Sequence, residues 1–393
     1  MRLYGLVSAL APFHQISVLS FVTRAESPVP ALQGLRGLCE RVVTVQNDRL
    51  AVRGISRRAL QLGSALSPRS FRDLVHHRGS LQAAIGRMAQ DATYDVVQVE
   101  HSFMARYAFP PEAVVVLDEH NVEYEIPLRS VAVDGSLPRK LYDRLEYLKV
   151  RAEEERAWRR VDACAVTSSR DAVTIRRAFP HALVDVVPNG VDTRYFSPGD
   201  RPSEPATLLF FGTIASYPNV DALLFFVREV LPLIRRAHPA VRLVIVGPAP
   251  PPEIRRLSGP DVVVTDAVPD LRPYLERATA VIAPLRVGGG TRLKILEAMA
   301  MGRPVVSTSL GAEGLEVTDG KELLLADTPR DFALQVGRIL AEPDLARELG
   351  AAGRRLVERS YDWTASARKL EGLYATALRG RTHAGIEALL SAD

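Results

Sequence analysis

The sequence predicts an α/β protein built from two consecutive doubly wound units, each a parallel sheet with helices on both faces. Three observations point there. Short β-branched runs alternate with longer helical patterns along nearly the whole chain. The 393 residues are about twice the usual domain size. Near the midpoint, Val187-Pro188-Asn189-Gly190-Val191-Asp192 is followed by Ser197-Pro198-Gly199-Asp200-Arg201-Pro202, and such Pro and Gly clusters break helices and permit positive φ. The reading therefore places a first domain at 1–188, a second at 189–360, and a terminal helical segment at 361–393 that packs back toward the first domain.

Taken in order, the first half reads as strands at Ile16–Val22, Arg41–Val45, Val96–Glu100, Val114–Asp118, Ala163–Thr167 and Val184–Val187, with helices at Ser70–Gln90 and Arg139–Arg160. The second half gives strands at Thr207–Phe211, Leu243–Val246, Val262–Thr265, Ala280–Ala283 and Val305–Ser307. Helices there are Val220–Ala237, Leu271–Ala278 and Thr291–Met301, followed by Asp344–Arg359 and Trp363–Leu378. The front of the chain departs from the pattern. A doubly wound unit opens with a strand and a glycine-rich turn before its first helix. Here Arg2 to Leu10 already reads as that helix, running into the Ile16–Val22 strand. The expectation is a first domain that lacks its opening strand, either through loss of that strand or through an internal start codon.

Composition is that of an ordinary globular protein, with 47% hydrophobic and 24% charged residues. The longest apolar runs, such as Ala113 to Leu117, are strand-length and fall short of the roughly 20 residues of a membrane span. Met-Arg-Leu-Tyr at the start does not read as a signal peptide, and Cys39 and Cys164 sit in apolar contexts as reduced thiols. These features predict a cytoplasmic location. The net charge of +4, mostly from arginine, suits anionic partners such as nucleoside diphosphates or an acidic inner-membrane surface. Arg53, Arg57 and Arg58 beside Leu60 and Leu62 could face such a surface or simply be a solvated helix face. No zinc-ligand spacing or nucleic-acid module is recognisable.

The densest chemistry lies in Pro284-Leu285-Arg286-Val287-Gly288-Gly289-Gly290-Thr291-Arg292-Leu293-Lys294-Ile295-Leu296-Glu297-Ala298-Met299-Ala300. A strand ends at Ala283, glycines make the turn, and a helix begins near Thr291. Glycines let backbone approach a ligand closely, and a helix N-terminus offers free N–H groups to phosphate. Arg292 and Lys294 put cations in that first turn, against the helix dipole. A bound diphosphate would resolve the conflict; a glycine turn ahead of a solvated charged helix is the other reading the residues leave open.

This run, with Gly302-Arg303-Pro304-Val305-Val306-Ser307-Thr308 after it, resembles the donor motif of the family 4 retaining glycosyltransferases of GT-B fold, the glycosyl transferases group 1. Val187-Pro188-Asn189-Gly190-Val191-Asp192, Phe211-Gly212-Thr213, Val246-Gly247, Gly311-Ala312-Glu313-Gly314-Leu315 and Tyr361-Asp362-Trp363 agree in order. The likeness is specific from about Val161 to Leu325 and looser before it. It implies two Rossmann-like domains facing across a cleft, and transfer of a sugar from a nucleotide-diphosphate donor without a metal or other cofactor. It implies that Gly212, Thr213 and Gly247 let backbone meet the donor, with Val268 beside the base. The turn residues Gly289, Gly290 and Thr291, with Arg292 and Lys294, would hold the diphosphate, and Glu297 the ribose. Two departures stand out. Many members carry a carboxylate just ahead of the glycine turn, where this chain has Arg286-Val287-Gly288-Gly289. Many also have Arg and Lys after the Phe-Gly turn, where this chain has Ile214-Ala215-Ser216-Tyr217-Pro218-Asn219.

In the first domain, Asp118-Glu119-His120-Asn121-Val122-Glu123 follows the Val114 strand, at the strand end where α/β proteins place working residues. His120 matches the family's post-strand histidine facing the donor sugar and is the candidate catalytic residue. His101, after Glu100, is the candidate on the acceptor side. A loop histidine is also commonly structural. The acceptor, a glycan, lipid or small molecule, is not readable. A nucleotide-sugar epimerase would need further cleft carboxylates, which the sequence does not offer. A non-catalytic sugar-nucleotide binder remains open, and a dinucleotide dehydrogenase is disfavoured because no Gly-x-Gly-x-x-Gly follows an early strand.

Overall fold

The computed structural model describes residues 2–24, 30–125, 137–199, 202–288 and 293–390. Their contacts divide the chain into two compact units, 1–188 together with 366–393, and 189–365.

The first unit opens on α1 (Arg2–Leu10), β1 (Ser17–Val22), α2 (Pro30–Arg36) and β2 (Arg41–Gln46), then α3 (Gly54–Ala65), α4 (Phe71–His76) and α5 (Gly79–Asp91). It continues with β3 (Val96–Glu100), β4 (Val114–Glu119), α6 (Leu137–Arg160), β5 (Ala163–Val166), α7 (Ser169–Ala178) and β6 (Val184–Val186). Every pairing is parallel, but the strands form two sheets: β1 with β2, and a second in the order β3-β4-β5-β6. Among the described residues the two sheets are not joined, so a break lies between β1 and β3 where the opening strand was expected to be lacking. All six residues of β4 are buried, as befits an interior parallel strand covered on both faces. The expected helix over Ser70–Gln90 is two helices. After His76 the chain turns extended at Arg78, and the Tyr107 hydroxyl bridges the break, accepting from the Arg78 N–H at 2.8 Å and donating to the His76 carbonyl at 2.6 Å. A buried phenol thus supplies what the interrupted helix ladder gives up.

The second unit runs β7 (Thr207–Phe211), α8 (Tyr217–Phe225), a π-helical turn over Phe226–Val230, α9 (Leu231–Ala237), β8 (Arg242–Val246), α10 (Pro252–Arg255) and β9 (Val262–Val264). Then come α11 (Arg272–Arg277), β10 (Ala280–Ala283), α12 (Leu293–Ala300), β11 (Val305–Ser307), β12 (Leu324–Leu325), α13 (Pro329–Ala341) and α14 (Pro343–Ser360). Six parallel strands lie in the order β12-β11-β10-β7-β8-β9, with an apolar layer on each face. Strand order reverses between β7 and β10, where doubly wound sheets place ligands at the carboxyl ends. The wider turn at Phe226–Val230 precedes Pro232, which has no N–H to continue the α ladder. The two-residue β12 and helix α13 were not anticipated, the first because it is too short to carry a period.

The last helix, α15 (Trp363–Leu390), belongs to the first unit from Ser366 on. Within that unit Tyr374 donates to Gln98, Glu371 pairs with His14 at 2.7 Å, and Arg381 donates to the Ala113 carbonyl. Arg57 and Arg58 lie on exposed turns of α3, Arg53 is its exposed N-cap residue, and Arg57 sits over the Phe71 ring. Both cysteines are free thiols. No helix among the described residues is long and apolar enough to cross a membrane.

Candidate functional site

In the second unit, β7 and β8 end on glycines that touch. Gly212 (φ +135°) and Gly247 (φ +154°) hold conformations that side chains rarely adopt. A Cβ on Gly247 would stand 1.8 Å from the Gly212 carbonyl oxygen, so only glycine permits the two turns to lie this close. Thr213 follows, and its carbonyl accepts from the Asn219 side-chain amide at 2.8 Å. The other end of the same amide, Oδ1, accepts from the Lys294 ammonium at 2.8 Å. That ammonium lies 3.9 Å from the Phe210 ring centroid, and a Cβ on Gly212 would meet it at 3.4 Å. Nearly buried Asn219 therefore fixes Lys294 over the Gly212 turn at the end of the sheet.

Glu297 sits one turn beyond Lys294 on α12 and is only 8% exposed. Burial pushes its carboxyl up to about 7, with the Lys294 charge pulling partly back. Val268 lies in the loop after β9 and packs against the apolar layer that contains Phe211 and Val246. Gly289, Gly290, Thr291 and Arg292 lie outside the described residues. Behind the turn, Thr308 donates to the Leu285 carbonyl and accepts from the Gly311 N–H at 2.9 Å, which ties the end of β11 to that of β10. Arg286, in the stretch that lacks the family's carboxylate, gives two hydrogen bonds to Asp221, at 3.1 and 2.7 Å, and stacks on Phe225.

In the first unit the ends of β3, β4 and β5 converge on His120. Its Nε2 is 2.7 Å from Glu100 Oε2, and its carbonyl accepts from the Thr167 hydroxyl at 3.0 Å. Burial raises Glu100, but the hydrogen bond and charge of His120 outweigh it and hold the carboxyl below its usual range. His101 lies against His120, ring centroids 4.1 Å apart, and on Phe103 at 5.1 Å. Its φ of +69° is unusual for a side-chain-bearing residue, and its Nδ1 is 3.6 Å from Glu123, too long for a hydrogen bond. The structure thus brings His101 and His120 together.

Sequence reading missed what supports them. Asp118 is fully buried and takes two hydrogen bonds from Arg2, 2.8 and 2.7 Å, across 116 residues of sequence. Glu100, Asp118 and His120 lie close enough to hold a cation, but Arg2 already engages both Asp118 oxygens and Glu100 is closed on His120. Below them, Glu154 accepts from the Glu123 and Tyr124 N–H groups at 2.7 and 2.9 Å and fixes the loop after His120, while burial lifts its carboxyl to about 8. Such long-range partners leave no local spacing to read.

Residues 205–342 match the family described as glycosyl transferases group 1. Among curated relatives, the D-inositol 3-phosphate glycosyltransferase of Segniliparus rotundus is 32% identical over 228 residues, 52% of this chain and 50% of that protein. The GDP-mannose-dependent alpha-(1-6)-phosphatidylinositol monomannoside mannosyltransferase of Mycolicibacterium smegmatis is 29% identical over 235 residues, 52% of this chain and 58% of that one. The chain thus spans about half the length of the curated relatives it matches. Among solved structures, sucrose-phosphate synthase from Thermosynechococcus elongatus superposes with a TM-score of 0.67 at 19% identity, covering 96% of this chain and 92% of that one. Anabaena HepE in complex with UDP-glucose gives 0.66 at 13% identity, covering 95% of each. The fold is GT-B, and within the second unit residues 205–342 are similar to the glycosyl transferases group 1 family.

Proposed function

We propose that the protein transfers a glycosyl group from a nucleoside-diphosphate sugar to a hydroxyl of a glycan, lipid or small-molecule acceptor, with retention at the anomeric carbon and without a metal ion. The observation that carries this reading is the Lys294 ammonium fixed by Asn219 over the touching Gly212 and Gly247 turns, with buried Glu297 one helical turn away. A diphosphate fits the cation and the open backbone, and a ribose hydroxyl fits the carboxylate. In the reaction the bond from the sugar's C1 to the diphosphate oxygen breaks, a bond from C1 to the acceptor oxygen forms, and the acceptor's proton is lost. The charge that grows on the departing diphosphate is what a preorganised cation stabilises. Lys294, with Arg292 and backbone of the Gly289-Gly290-Thr291 turn, takes that role. His120, held by Glu100, is assigned to the donor sugar and His101 to the acceptor.

The relatives' printed activities and the UDP-glucose held by HepE support a nucleotide-sugar donor. A panel of UDP-, GDP- and TDP-sugars, assayed for nucleotide release with and without EDTA, tests the proposal. Turnover of one donor, unchanged by EDTA and yielding the donor's anomeric configuration by NMR, is the expected result. Tight nucleotide binding with neither hydrolysis nor transfer would leave a sugar-nucleotide binder instead.

A further inference from the structure

A chain of hydrogen-bonded side chains runs from the last helix to His120, all of it within the first unit. It starts on the face of α15 where Leu370, Leu373 and Ala377 are buried, with Tyr374 one turn beyond Leu370. The Tyr374 hydroxyl donates to Gln98 Oε1. Gln98 Nε2 donates to Glu100 Oε1 at 2.7 Å and, more weakly, to Asp118 Oδ2 at 3.4 Å. The other Glu100 oxygen, Oε2, lies 2.7 Å from His120 Nε2. The sheet sets this alignment. Gln98 and Glu100 are two residues apart on β3 and so share a face, and the register puts Asp118 opposite Glu100. Beside Val96, Val97 and Val99, a glutamine is out of place on this strand for packing alone.

We propose, on the reading that His120 works on the donor sugar, that Tyr374 and Gln98 are positioning residues for it. Acting through Glu100, they set which nitrogen of the imidazole carries the proton and where the ring points. The donors and acceptors leave each group one orientation. Glu100 and Asp118 accept, so the Gln98 amide nitrogen faces them and its oxygen faces the phenol. The phenol must then donate, and burial beside the Asp118 and Glu100 charges raises its pKa and keeps it protonated. Glu100 receives a donor on each oxygen, which fixes its rotamer and makes His120 Nε2 the protonated ring nitrogen. The unprotonated Nδ1 is then the ring's acceptor. Without the phenol hydroxyl, the Gln98 oxygen loses its donor and the amide loses what holds it square to Glu100.

The test uses the full chain and two kinds of readout. Long-range proton–nitrogen NMR of the histidine rings at alkaline pH, taken without donor, reports the His120 tautomer. Donor turnover reports kcat and KM. Tyr374→Phe removes one oxygen and keeps the ring, while Gln98→Met keeps the length and removes the amide. Each should turn a fixed Nε2–H tautomer into a mixture and lower kcat by about tenfold, with the donor KM and the thermal melt little changed. In a Glu100→Gln background Tyr374→Phe should cost no further activity, since the link it acts through is already gone. A lowered melting temperature with tautomer and kcat unchanged would overturn the proposal and leave Tyr374 as a clamp on α15. So would an undiminished tenfold loss in the Glu100→Gln background, because the phenol would then act by another route. His120→Ala separates the two readings. Full turnover in that variant refutes the role of His120 on the donor sugar, whereas the tautomer in Tyr374→Phe decides the positioning by itself.

Discussion

Glu297 gives the sharpest test, because burial and ligand binding pull its carboxyl in opposite directions. Burial raises it from 4.5 to about 7 in the folded chain. A shift of that size corresponds to about 3 kcal/mol. Below pH 4.5 the group is protonated whether folded or unfolded, so the folded chain carries no penalty from it. Between pH 4.5 and 7 the unfolded chain binds fewer protons, so stability falls as pH rises, and above pH 7 the full penalty is present. Glu297→Gln removes the titration. The variant should match the native protein near pH 4.5 and exceed it by up to about 3 kcal/mol at pH 8, read in the second unit's melting transition. A ribose hydroxyl donating to the carboxylate favours the charged form. Native affinity for the nucleotide should therefore rise between pH 6 and 8, while the variant binds more weakly with a flat profile. Melts from pH 4.5 to 8.5 and calorimetric titrations with UDP, GDP and TDP measure both. A stability difference that ignores pH would refute the burial argument, and a variant that binds as tightly as native at pH 8 would refute the ribose contact.

The remaining predictions concern the cations. Lys294→Ala or Arg292→Ala should weaken nucleoside-diphosphate binding by about 1.5–3 kcal/mol, the scale of a charge-assisted hydrogen bond. Asn219→Ala should reproduce part of the Lys294 loss, and all three should show it in the same titrations. Arg2→Met leaves the buried Asp118 carboxyl without its guanidinium and should cost about 3–5 kcal/mol in a denaturant melt of the first unit. Arg2→Met with Asp118→Leu should recover most of it, since an apolar pair of similar volume replaces an ion pair at little cost.

The second unit was largely legible because its information is local. Val262–Val264 and Ala280–Ala283 are unbroken apolar runs bounded by turn residues, and the Gly212 and Gly247 turns announce themselves by residue type. The break between β1 and β3 was legible for the same reason, since the Arg2–Leu10 helix runs directly into β1. What escaped was set by tertiary contact. The break between α4 and α5 depends on Tyr107, and Gly79 gives only a weak local hint of it. Arg2 and Asp118 meet across 116 residues, and no pattern in Arg2-Leu3-Tyr4 foretells a buried ion pair. Asn219 was read only as part of a stretch without Arg or Lys. Its value lies in facing Thr213 and Lys294 at once, which only the fold arranges.

The two departures from the family pattern have one electrostatic consequence. Arg286 lies in the stretch that lacks the family's carboxylate, and Asp221 and the Phe225 face hold its guanidinium, with Glu229 at 3.9 Å. Its charge is answered within the protein. Lys294 donates to the Asn219 side-chain oxygen and is set over the Phe210 ring. Glu297 is protonated for much of the time near pH 7 and balances it only in part. Arg286 is thus committed to α8, while Lys294 lies over the Gly212 turn at the end of β7. On the proposed reading, the lack of Arg and Lys after the Phe-Gly turn leaves donor-diphosphate recognition to α12 and the residues just before it, and Asn219 is the residue that positions Lys294 for it.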